Sequence, residues 1–137
     1  MKKVIIISLI LIIGIIGIIF MYPKKKLFEE AILLNVEEIT SIEIAHNDTE
    51  VTISDPDEIE KIMDNFSELE LKETNSLDGF EKTYWITIKE NNSKAYGLTV
   101  HDNKQLHTFS YEDNQQQEFT IINKKDFDLS KLNEYVN

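Results

Sequence analysis

Cysteine is absent from the chain, which removes disulfides, thiol catalysis, thiolate metal sites and lipid attachment through a cysteine together. Arginine is absent too. Past residue 26 only nine of the 14 basic residues remain, all lysine, against all 25 acids, a formal charge of −16. That balance argues against nucleic acid as a partner, because binding needs cations along phosphates and arginine forks on bases. The acids are spread evenly rather than clustered, the pattern of a solvated, self-repelling surface. Glycine and proline are scarce: past residue 26 only Gly79, Gly97 and Pro56 occur, so the segment is neither linker nor low-complexity tail. No glycine-rich phosphate loop and no serine in a G-x-S-x-G turn is present, which leaves nucleophilic catalysis without its usual framework.

What the chain does have is a long apolar run near its start. Residues 4–20 are apolar without a break but for Ser8, with Lys2-Lys3 before and Lys24, Lys25 and Lys26 after. Val4, Ile12, Gly14, Gly17 and Phe20 lie within this run, and the lysines form its flanks. Extended through Met21 and Tyr22 it makes roughly 26–28 Å of helix, against a hydrocarbon thickness of ~30 Å. A secretory signal peptide usually has an apolar core of about 7–15 residues and a small-residue cleavage site. No such pair of small residues occurs between Gly17 and Ala31, so a retained anchor over 1–26 is expected, with the bilayer as its partner. The lysine flanks are nearly balanced, and the short charged start favours an inside N-terminus with the rest outside. Gly14 and Gly17 are three apart, not the four of a GxxxG dimer face.

Residues 27–38 read as a connector and 39–137 as one acidic domain. Ile42 and Ile44 alternate with polar neighbours, as do Val51 and Ile53 beyond Asn47-Asp48. A two-residue turn there pairs Ile44 with Val51 and Ile42 with Ile53 on one face. Asp55 is a good N-cap with Pro56 at N1 and Glu58 at the capping-box position, and Ile59, Ile62, Met63 and Phe66 form a helical stripe. A weak strand at Leu69–Glu73 precedes a polar loop closing at Asp78-Gly79. Tyr84, Ile86 and Ile88 alternate, then Tyr96, Leu98 and Val100, and a three-residue loop Asn91–Ser93 sets them opposite one another. A two-residue turn at Asp102-Asn103 sets Phe109 opposite Tyr96 and His107 opposite Leu98, facing inward. Phe119 and Ile121 belong to a last strand, and Phe127, Leu129, Leu132 and Val136 to a terminal helix. The expected class is α+β: an antiparallel sheet of about five to seven strands with one or two helices on one face.

The order of anchor, paired strands ending in Ile53-Ser54-Asp55-Pro56-Asp57-Glu58-Ile59-Glu60-Lys61-Ile62, acidic spacer, Tyr84-Trp85-Ile86-Thr87-Ile88, meander and leucine helix resembles small membrane-anchored or lipoprotein domains of Gram-positive bacteria, families mostly of unknown function. The resemblance covers about residues 39–136, and the missing lipobox cysteine departs from the lipoprotein members. It implies an extracytoplasmic, non-catalytic small domain and carries over no functional residue.

Four groups carry residue types suited to chemistry. His46, Asp48 and Glu50 alternate like metal ligands, but the turn at Asn47-Asp48 splits them, and a structural site needs a closed set. Asp55, Asp57 and Glu58 suit helix capping better than a calcium loop, which needs glycine at its sixth position. His101 and His107 flank one turn without converging in the expected register. Twenty-five acids make any carboxylate pair for a hydrolase uninformative. No catalytic residue, cofactor or metal is expected. Trp85 and Thr87 fall on the sheet face away from the helices, where an exposed aromatic would serve as an interface anchor. The expected function is a non-catalytic module binding an unknown protein or cell-envelope partner through Trp85 and Thr87. The alternatives are a domain sensing a cation or small ligand and, behind it, a hydrolase acting through two carboxylates; a purely structural Trp85 would instead pack under the Leu69–Asp78 loop or Leu27–Leu34.

Overall fold

A computed structural model of the chain describes residues 1–22, 25–75, 82–102, 104–122 and 130–136. The opening apolar run forms one helix, α1 (Lys2–Met21), with a mean hydropathy of 3.3 and none of it buried inside the protein. A helix apolar on every side has no face to offer water. By length and composition α1 can cross a membrane, a test that an N-terminal signal sequence also passes. Of its flanking residues, Lys24 lies outside the described residues.

Residues 27–38, expected above as a connector, are instead built into the domain. Strand β1 (Lys25–Leu27) pairs antiparallel with β4 (Glu70–Glu73), and a single helical turn, α2 (Phe28–Ala31), follows. Phe28 and Ile32 share one side of that turn, and both are buried, with Phe28 stacked 5.4 Å from Phe66. Their four-residue spacing puts two apolar side chains on one face, which draws the segment onto the core.

The remaining elements are β2 (Ile39–His46), β3 (Thr49–Ile53), α3 (Pro56–Ser67), β5 (Thr83–Glu90), β6 (Ser93–His101), β7 (Gln105–Ser110), β8 (Gln115–Ile121) and α4 (Ser130–Val136). The eight strands form one sheet, ordered β1-β4-β8-β7-β6-β5-β2-β3 and antiparallel throughout. The α+β class is therefore as expected, with β1 taking the strand count one beyond the expected range and α2 adding a third short helix.

The local signals resolve as the chemistry dictates. Asn47 takes φ 53°, and the turn pairs Ile44 with Val51 and Ile42 with Ile53. Asp55 Oδ1 accepts from the Asp57 and Glu58 amides at 3.0 and 3.2 Å and caps α3. Ile59, Ile62, Met63 and Phe66 of α3 are all buried, together with Ile42, Ile44, Tyr84, Ile86, Ile88, Leu98 and Val100 of the sheet. Between β5 and β6 the expected pairs form, Ile88 with Tyr96, Ile86 with Leu98 and Tyr84 with Val100. The connection, however, is a two-residue turn with both asparagines at positive φ, and a bulge between Ile88 and Lys89 absorbs the extra residue. Apolar pairing set the register here, and the backbone bent to meet it. The Asp78-Gly79 loop, Phe127 and Leu129 lie outside the described residues.

The β6–β7 register corrects the expectation by one residue. Gly97 opposes Phe109, Thr99 opposes His107, and Val100 opposes Leu106. Asp102 takes φ 48° and the Lys104 amide donates to the His101 carbonyl, so Lys104 stays in the turn. A one-residue slip moves every side chain of a strand to the other face. Leu106 is thereby buried beside Phe119, its partner on β8. Burying Leu106 removes no polar atom from water, whereas His107 would carry two ring nitrogens inward in need of partners.

Candidate functional site: the open face of the sheet

Helices α2, α3 and α4 all serve the inner face, where the buried residues of β2, β5, β6, β7 and β8 meet them. Among the described residues the opposite face is left to the alternate side chains of the same strands. In register across β2, β5, β6, β7 and β8, one row there reads Ala45, Trp85, Thr99, His107 and Glu118. The next reads Glu43, Thr87, Gly97, Phe109 and Gln116. The structure thus places Trp85 and Thr87 where the alternation of β5 predicted them, with Trp85 52% exposed.

The register correction adds members that the sequence reading had put inside. Phe109 lies on this face and meets Tyr111 edge-on, centroids 4.8 Å apart and planes at 85°. The Tyr111 ring lies over Gly97, where a Cβ would sit 3.6 Å from Cε2. Lys94 Nζ stands 5.6 Å from the same ring centroid. The 3.6 Å separation is ordinary van der Waals distance, so Gly97, Phe109 and Tyr111 pack together as one unit. Glu43 is ion-paired with Lys89 on this face, both side chains less than a third exposed. The centre of the face is therefore aromatic and hydroxyl-bearing, and its Glu43 charge is matched, although the domain as a whole is strongly acidic.

His101 also turns to this face, its Nδ1 hydrogen-bonded to the Thr83 hydroxyl at 3.0 Å. Burial, and then the charge of nearby His107, hold its pKa below the ordinary value, against the opposing pull of Asp102 and Glu118. The corrected register sets His107 opposite Thr99, on the same face as His101, a second correction to the expected geometry. His46 turns inward instead, stacks on Tyr84 at 4.1 Å and donates from Nδ1 to the Thr83 carbonyl at 2.8 Å. Asp48 stays in its turn and Glu50 opposes Ala45, so the His46, Asp48 and Glu50 set is divided between places. Among the described residues no three histidine or acidic side chains gather as a metal-holding group.

A cleft of about 370 Å³ lies elsewhere, between α3 and α4, lined by Ile62, Asp64, Asn65, Glu68, Lys131, Leu132 and others. It follows from how α4 docks. The Tyr84 hydroxyl donates to Asn133, and the Tyr135 hydroxyl donates to Glu58 Oε2 at 2.6 Å. Burial and the Glu58 hydrogen bond push the Tyr135 phenol up to about 12. Hydrogen bonds from Lys61 and Tyr135 hold the Glu58 carboxyl below its usual value. Both groups are committed to fastening a helix.

Comparisons of the chain with protein-family models, with curated proteins and with solved structures gave no match.

Proposed function

We propose that this chain is a single-pass, membrane-anchored, non-catalytic module that displays an acidic α+β domain outside the cell membrane and binds a protein or cell-envelope partner through its open sheet face. One observation carries the reading. The sheet spends its inner face on the helices yet keeps Trp85 half-exposed, with Phe109 and Tyr111 on the same open side. Isolated exposed apolar residues are ordinary, but three aromatics on a face that no described helix covers exceed that, and Trp and Tyr are the residues on which interface energy concentrates. The resemblance to small anchored domains of Gram-positive bacteria supports the same assignment. Retention of α1 follows from its length and the lack of a cleavage-type pair after it.

Crosslinking in intact cells, with wild type and Trp85→Ala compared, tests the surface. We expect at least one crosslinked partner to be lost from the variant while the domain stays folded. Equal recovery of every partner would remove the role given to this face. Mass measurement of the membrane-fraction chain tests the anchor: it should begin at the N-terminal methionine, and a form trimmed past residue 22 and released to the medium would overturn it.

A further inference from the structure

The anchor reading has a counterpart in the first strand after it. Lys25 and Lys72 are matched partners across β1 and β4, so their side chains leave the same face from Cβ atoms about 4.5–5.5 Å apart. Both are exposed. Like charges placed directly opposite destabilise a sheet, and this domain has few lysines and a surplus of acids with which to avoid it. Among the described residues none of the nearby acids forms an ion pair with either lysine. Glu73 pairs with Lys26 at 3.0 Å, Glu30 accepts from the Leu27 amide at 3.1 Å, and Glu70 stands opposite Leu27. Among the described residues neither Lys25 nor Lys72 enters an ion pair. The doubled positive charge calls for an anion from outside the chain.

Position says which anion. Helix α1 ends at Met21 and β1 begins at Lys25, four steps of chain that span at most about 14 Å. If α1 spans the bilayer, Lys25 is held within that reach of the headgroups, and strand pairing brings Lys72 to the same place from 47 residues further on. We propose that Lys25 and Lys72 together form a docking site for anionic phospholipid headgroups, which lays the β1 edge of the sheet against the bilayer surface. The inference rests on the anchored reading and adds to it a fixed attitude of the domain. A lysine near an anionic surface is worth about a fivefold change in population, falling off within a Debye length.

The test uses the full chain in nanodiscs. Because the chain has no cysteine, Thr120→Cys gives a unique site for a fluorescent label, and Thr120 is Lys72's partner on β8. Quenching by a nitroxide-headgroup phosphatidylcholine is compared between neutral discs and discs containing phosphatidylglycerol. We expect stronger quenching in the anionic discs, reversed by high salt, with the docked-to-free ratio falling about fivefold in Lys72→Gln and further in Lys25→Gln/Lys72→Gln. Quenching indifferent to lipid charge, or unchanged in the double variant while the chain still co-elutes with discs, would overturn this inference alone. Failure to co-elute with lipid would overturn the anchored reading and this inference with it.

Discussion

The face on which Phe109 lies turns on one residue of register, and two alanine substitutions weigh the alternatives against each other. Leu106 is fully buried opposite Phe119, whereas Phe109 is only partly buried, with Tyr111 as its aromatic neighbour. Truncating a buried leucine costs about 2–5 kcal/mol, through lost transfer energy and the cavity left behind. Truncating Phe109 on an open face forfeits its edge-on pairing, about 0.5–1.5 kcal/mol, and part of a burial term of about 1.5–3 kcal/mol, with no enclosed cavity left behind. Had the strand slipped by one, the order would invert, with Phe109→Ala costing about 3–5 kcal/mol. A domain of this size has roughly 5–15 kcal/mol in all, so the two outcomes differ visibly. Urea unfolding of the full chain in micelles, followed by circular dichroism and by Trp85 fluorescence, reads both. Leu106→Ala should lower the midpoint by more than Phe109→Ala does, at unchanged slope. A Phe109→Ala shift equal to or larger than that of Leu106→Ala would refute the register and, with it, the aromatic surface.

Three further outcomes follow from other contacts in the fold. Phe28→Ala removes a buried ring that stacks on Phe66 and should cost about 3–5 kcal/mol; a cost under 1 kcal/mol by the same titration would return residues 27–38 to the status of a connector. Asp55→Ala deletes the acceptor of two α3 amides and should cost about 1 kcal/mol, with Asp55→Ser restoring most of it, and a variant indistinguishable from wild type would show the cap to be unimportant. His101 has a lowered pKa in the folded state, so the unfolded chain binds its proton first and stability is lost as pH falls below about 6.5 toward that lower value. Melting temperatures at pH 7 and pH 5 should therefore fall less in His101→Gln than in wild type, and parallel curves would contradict the assignment.

Much of this fold is visible before any coordinates because its signals are local. Asp55-Pro56 opens α3 through groups within three residues of one another, and Ile59, Ile62, Met63 and Phe66 mark its buried side. The first hairpin and the β5–β6 pairing are likewise decided by apolar residues whose neighbours in sequence are their neighbours in space. Strand β1 escapes such reading. Three residues rich in lysine carry no alternation, and their partner, β4, is some 45 positions away. Phe28 and Ile32 escape for the same reason: two apolar residues one turn apart show a face, but not what lies beneath it.

The open face was half legible, and the missing half shows what limits a reading of turns. Alternation within β5 suffices to send Trp85 and Thr87 away from Tyr84, Ile86 and Ile88. Placing β7 needed a choice between two faces of a strand, Gln105, His107 and Phe109 or Leu106, Thr108 and Ser110, neither of them cleanly apolar. The Asp102-Asn103 pair suggested a two-residue turn, which would have buried the aromatic ring. The strand on the other side carries the stronger constraint. The turn Tyr111–Asn114 pairs Ser110 with Gln115, and from there Leu106 must share a face with Phe119. Since Phe119 and Ile121 are the only large apolar side chains β8 can send inward, β7 follows them, and Lys104 is given up to the turn. Thr108 and Ser110 are then buried as polar residues, a cost that two-strand reasoning would reject and three-strand pairing accepts. The aromatic patch is thus a by-product of β8: had its apolar parity been shifted by one, Phe109 would be core and Trp85 would stand alone.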